Sequence, residues 1–146
     1  MTNLRITSLA FQSNSYIPAK YTCDGSNVNP PLKVDDIPEG AKSLVLIVDD
    51  PDAPGGTWDH WVVWNIPSTG KIDENSVPGV EGWNSFRKRS YGGPCPPSGT
   101  HRYFFKFYAL EVQLSLPSSS RKKDVELAMK GHILAQGELV GLYKRS

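Results

Sequence analysis

Apolar positions cluster into a few short runs separated by turn-forming residues. Ser43-Leu-Val-Leu-Ile-Val48 is continuous, rich in β-branched residues and bounded by turns. A run of that length predicts a strand buried on both faces. It gives way to Asp49-Asp-Pro-Asp-Ala-Pro-Gly-Gly56, whose prolines and glycines predict a tight loop. Two further strands are predicted, His60-Trp-Val-Val-Trp-Asn-Ile66 and Arg102-Tyr-Phe-Phe-Lys-Phe-Tyr-Ala-Leu110, the second continuing toward Leu116. The 102–110 run carries apolar side chains on both faces, again the mark of a central strand. Arg5–Ser8 and Ile17-Pro18 predict short edge strands.

Helix is scarce. One is predicted near residues 120–131, with Ser120 placed to cap it, Val125, Leu127, Ala128 and Met129 on an apolar side, and Gly131 ending it. The following Ile133–Tyr143 run contains Gly137 and Gly141, which disfavour helix, and is predicted as a closing strand. Many strands, many turns and one late helix predict an all-β fold with minor α, a sandwich or barrel-like packing of two sheets.

Composition agrees. The 146 residues suit one domain with one core, and 12 Pro and 13 Gly imply frequent chain reversal. Lys and Arg number 16 against 15 Asp and Glu, a net charge of +1, so no global field drives the chain onto nucleic acid or an acidic membrane. The dense basic runs are Arg87-Lys88-Arg89 and Arg121-Lys122-Lys123, read as a solvated loop and a helix start. The aromatics Phe86 and Tyr91 beside the first are a weak hint of nucleic acid. No run reaches the roughly 20 apolar residues of a membrane helix, and the first residues lack a signal-peptide pattern. A cytoplasmic protein is expected. Cys23 and Cys95 lack the spacing of a zinc or redox motif and are read as reduced thiols, with one disulfide as the alternative.

Residues of chemical interest gather at the ends of the strongest strands. Asp50 and Asp52 follow the first, His60 opens the second, and His101 opens the third with Tyr103 on the same face. Taken singly, each has a structural explanation as a turn former or core residue. His132, near the expected helix end, is read as such a residue.

In combination they resemble a known family. Asp49-Asp-Pro-Asp-Ala-Pro54, Trp58-Asp-His-Trp61, Tyr91-Gly-Gly-Pro-Cys-Pro-Pro-Ser-Gly99 and His101-Arg-Tyr103 are similar to the two signature regions of the phosphatidylethanolamine-binding (Raf kinase inhibitor-like) family. Tyr21–Gly25, Asn29–Leu32 and the closing Gly131–Arg145 stretch resemble its prokaryotic branch. The resemblance implies two antiparallel sheets with Greek-key connections and a small pocket for phosphate, phosphorylated head groups or carboxylates. It implies Asp50, Trp58, His60, Cys95, Pro96, His101 and Tyr103 as ligand-binding residues, with Asp52, Gly93 and Arg102 behind them.

The chemistry is coherent. Two imidazoles and a phenol donate to an anion, and the N–H groups of Gly92, Gly93 or Cys95 add to them. Asp50 accepts from one imidazole and sets its tautomer. A small anionic ligand is the expected partner. Neither nucleic acid nor membrane insertion is expected, no cofactor or metal is called for, and a homodimer is left open. A protein inhibitor of a serine protease, presenting Pro94–Gly99 or Glu81–Tyr91, is the alternative. A metal-dependent enzyme comes third. The motifs G-x-S-x-G, H-E-x-x-H and the Walker and dinucleotide fingerprints are lacking, and neither Ser90 nor Ser98 is marked as a nucleophile.

Overall fold

A computed structural model describes residues 2–146. The long strands are β5 (Ser43–Asp50), β6 (Trp58–Ile66), β9 (His101–Leu110) and β10 (Ile133–Tyr143). Shorter ones are β1 (Thr2–Asn3), β2 (Arg5–Thr7), β3 (Ser15–Tyr16), β4 (Leu32–Asp35), β7 (Lys71–Ile72) and β8 (Val80–Glu81). Helix α1 spans Lys122–Met129, and a 3-10 turn covers Ala19–Tyr21.

The large sheet runs β1-β10-β9-β5-β6-β8, with β3 also on β10; the small sheet is β2-β4-β7. All pairings are antiparallel except those of the short strands β1 and β3 with β10. The chain passes from β5 to β6 to β8, and β9 then returns to the free side of β5. That is the Greek-key order, in which the fourth strand lies beside the first.

The continuous apolar runs follow from what covers the large sheet. Leu44, Leu46, Val48, Trp61, Val63, Phe105 and Phe107 face one way and pack with Leu32, Val34 and Ile72 of the small sheet. Val45, Ile47, Val62 and Trp64 face the other way, under Leu114 and under Val125 and Met129 of α1. A strand covered on both faces has no solvent side on which to place polar residues.

Local boundaries depart from expectation for identifiable reasons. The edge strand expected at Ile17-Pro18 sits at Ser15–Tyr16, because Pro18 offers no ladder donor and leads into the 3-10 turn. Strand β9 stops at Leu110 instead of continuing toward Leu116. Ser120 does not cap the helix. Arg121 occupies that position and its N–H donates to the Asp124 carboxylate (2.9 Å), while the Ser120 carbonyl accepts from Trp83 (2.9 Å). The glycines of β10 mark close crossings. A β-carbon at Gly137 would strike the Leu4 carbonyl oxygen, and one at Gly141 the Ile17 side chain.

The reading of two reduced thiols is overturned: Cys23 and Cys95 form a disulfide, with Cα atoms 5.4 Å apart across a separation of 72 residues. Nothing in their spacing signals the pairing; the fold sets the two segments side by side, where the Cys23 N–H also donates to the Pro94 carbonyl (3.1 Å). Among the described residues, no helix is long and apolar enough to cross a membrane.

Candidate functional site

Antiparallel pairing puts the end of β5 beside the starts of both its neighbours, β6 and β9. Asp50, His60 and His101 are distant in sequence, yet all lie at this one end of the sheet. The two-residue alternation of β5 then separates its last aspartates. Asp49 faces α1, 3.1 Å from Lys106 Nζ and 3.6 Å from Lys122 Nζ. Asp50 faces the opposite side, with His101.

His60 needs an additional device. Trp61 and Val63 point into the main core, so simple alternation would send His60 toward the helix. The ladder slips instead: Val48 is opposite Trp61, but Asp49 is opposite Asp59. The extra residue on β6 is His60, and this bulge turns its ring to the same side as Trp61.

The side chains enclose a cavity of about 220 Å³, lined by Asp50, Trp58, His60, Phe86, Cys95, Pro96, His101 and Tyr103, with Ala53, Pro54 and Pro97 completing the rim. This lies below the roughly 300–1,000 Å³ of drug-sized pockets. The walls are aromatic. Tyr103 and Phe86 each stand edge-on to His60, with centroids 5.2 Å away, and Trp58 meets Phe86 edge-on at 5.5 Å.

Both imidazoles are anchored through Nδ1. His60 Nδ1–H donates to the Gly92 carbonyl (2.7 Å), and His101 Nδ1–H donates to Asp50 Oδ2 (2.7 Å). The other Asp50 oxygen accepts the Asp52 N–H (2.7 Å). Asp50 therefore orients a ring and a loop, with each oxygen engaged. Nε2 is left as the uncommitted nitrogen of each imidazole. Burial holds His60 below its ordinary pKa, against the opposing pull of the Gly92 carbonyl and Asp50. Burial likewise raises the Tyr103 phenol, and the nearby Asp50 carboxylate adds to it. Tyr103 Oη is buried with no hydrogen-bond partner among the described residues. A buried hydroxyl of that kind calls for a partner.

All seven residues expected to touch ligand line this one cavity. Asp52, Gly93 and Arg102 stand outside it. Arg102 donates from its backbone N–H and its guanidinium to Asp52 (2.9 Å each), which holds the Asp52 carboxyl at about 2 and braces the 50–56 loop. The Gly92 and Gly93 N–H groups do not serve the cavity as expected. Gly92 donates to the His60 carbonyl (3.0 Å) and Gly93 to Asn27 Oδ1 (2.8 Å).

Phe86 was noticed in the sequence only as a neighbour of the basic run and not as a cavity wall, and Asn84 was not noticed at all. Asn84 is buried and ties the 84–92 segment together. Its Oδ1 accepts from Phe86 and Lys88, and its Nδ2 donates to Ser90 and His60 carbonyls. An asparagine before a short basic loop was the available signal. His132 lies apart, paired with Glu111 at 3.1 Å. Ser90 and Ser98 are absent from the cavity wall. Pro94 and Pro96 of the candidate inhibitory loop are buried, which leaves Pro97–Gly99 exposed. Among the described residues, no three His, Cys, Asp or Glu side chains converge to hold a metal.

A family model described as phosphatidylethanolamine-binding protein matches residues 7–144. The chain belongs to that family. Similar relatives of this family member are UPF0098 proteins. That of Aquifex aeolicus is 51% identical, over 97% of this chain and 89% of its own. That of Methanothermobacter thermautotrophicus is 47% identical, over 97% of this chain and 99% of its own. The crystal structure of a phosphatidylethanolamine-binding protein homolog from Chlamydia trachomatis superposes with a TM-score of 0.95 at 41% identity, covering all of both chains. YbcL of Escherichia coli, described as a new member of the mammalian family, does so at 0.90 and 30% identity, over 99% of this chain and all of its own.

Proposed function

We propose that the protein binds a small anionic ligand (phosphate, a phosphorylated head group or a carboxylate) in this cavity, as a regulatory binding module and not as an enzyme. One observation carries the reading: His60, His101 and Tyr103 line the same small cavity, each imidazole is anchored through Nδ1 so that Nε2 is left over, and the buried Tyr103 hydroxyl has no hydrogen-bond partner among the described residues. Tyr103 donates directly. Each Nε2 donates only when its ring is protonated, or accepts when the ligand brings a proton of its own. A ligand that carries no proton of its own, such as acetate, is therefore bound with uptake of a proton by a ring. Hydrogen bonds to charged groups are worth roughly 1.5–3 kcal/mol each before desolvation. Few such bonds at a small open site give an affinity of about micromolar to millimolar.

The test is calorimetric titration with phosphate, phosphoethanolamine and acetate at pH 6 and pH 8. Acetate is ionised at both values and isolates protonation of the rings. Its affinity is expected to fall at least about tenfold from pH 6 to pH 8, the effect of one linked proton. His101→Ala is expected to abolish binding of all three. Binding that is independent of pH, or unchanged in the variant, refutes the reading.

A further inference from the structure

The basic runs at 87–89 and 121–123 lie more than thirty residues apart in sequence, yet the fold brings them onto one surface. Trp83 joins them: its N–H donates to the Ser120 carbonyl (2.9 Å), and it forms a bridge with Arg121. Arg89 lies over the Trp83 ring (5.4 Å) and donates to Ser118 Oγ (2.6 Å). Between the runs is a groove of about 570 Å³ lined by Trp83, Asn84, Ser85, Arg87 and Arg121.

Little of the charge here is paired, although the Asp124 carboxylate accepts the Arg121 backbone N–H. Lys122 is consumed by Asp59 and Asp49. Arg87, Lys88, Arg89, Arg121 and Lys123 are exposed, and among the described residues none has a carboxylate within ion-pairing distance. In a chain of net charge +1, this is a concentrated patch. Arg87 is held at a φ of 62° by the Asn84 turn, so a defined backbone presents its guanidinium.

We propose that this groove is a docking site for an acidic polypeptide segment, with Arg87 and Arg121 gripping carboxylates. Guanidinium forks bind carboxylates bidentately, and arginine clusters are a recurrent means of recognising acidic motifs. The surroundings disfavour nucleic acid, which needs free stacking rings beside the charges. Phe86 is spent on the cavity wall and Arg89 covers Trp83. Tyr91 packs edge-on against Trp61 (5.4 Å) and donates to the Tyr21 carbonyl (2.7 Å). The groove is also concave, which fits a chain segment better than a planar bilayer.

The experiment is fluorescence anisotropy with a labelled glutamate octapeptide at low salt. Two double variants have equal charge loss: Arg87→Gln with Arg121→Gln in the groove, and Lys88→Gln with Lys123→Gln around it. Saturable, salt-sensitive binding is expected. The first pair should weaken it at least about tenfold, and the second by less than about threefold. Urea midpoints and cavity titrations with phosphate confirm that both variants are folded, and His101→Ala is expected to keep peptide binding. No saturable binding, equal loss in the two pairs, or tighter binding of a single-stranded oligonucleotide or an anionic phosphatidylglycerol vesicle would each overturn the proposal.

Discussion

The Gly92 carbonyl and Asp50 each take the Nδ1–H of one histidine, which leaves Nε2 as the uncommitted nitrogen of each ring. The burial that lowers the His60 pKa has a consequence for stability. Its folded pKa lies below the unfolded value of about 6.5, so above that pH both states are neutral and the ring contributes nothing. As the pH falls below about 6.5 the unfolded chain takes up a proton that the folded ring resists, and stability is lost until the folded pKa is reached. In urea melts free of phosphate, wild type is therefore expected to lose more stability between pH 7.5 and pH 5 than His60→Gln does. Equal losses would show that burial of this ring does not govern its titration. Residue types and positions in the site were legible because catalytic-type polar residues stood out at the ends of apolar strands. The direction of the His60 ring was not, because a bulge depends on the register with β5 and leaves no mark on the alternation of β6.

At the scale of elements, the cavity is a junction of three strand ends closed by two loops, 50–56 and 84–99. The Cys23–Cys95 bond fastens the second loop to the segment after the 3-10 turn. Chain-entropy reasoning for a closure of this length gives about 4.4 kcal/mol, and measured losses of native disulfides are typically about 2–5. Cys23→Ser with Cys95→Ser is expected to lower stability by about 2–4 kcal/mol in urea melts. It should also weaken phosphate binding, because Cys95 and Pro96 form part of the wall. Unchanged phosphate affinity would show that the wall holds its shape without the bond. The central strands and α1 were legible because burial imposes a pattern on eight or more residues. Strand β2 of the small sheet was legible in Arg5–Ser8 and β3 was expected two residues late, but β1, β4, β7 and β8, of two to four residues each, are too short to carry a period. They exist because partners distant in sequence complete their hydrogen bonds.

Over the whole molecule, the large sheet is a rigid frame covered on both faces, and the chemistry is set at one of its ends. Its likeness to the Chlamydia and E. coli structures extends over essentially the entire chain. The family was legible because its motifs lie where backbone geometry is most constrained, in proline- and glycine-rich loops abutting buried strands. The convergence of the two basic runs was not, because a net charge of +1 hides how charge is distributed in space. In the proposed mode of binding, both Nε2 atoms meet the ligand. This is tested most directly by nitrogen-15 NMR of the His60 and His101 rings during titration with acetate and phosphate at pH 6 and pH 8. Both Nε2 signals are expected to move toward the protonated position and saturate, more strongly at pH 6, while both Nδ1 signals stay protonated. No Nε2 response at millimolar ligand, or a change confined to Nδ1, would contradict it.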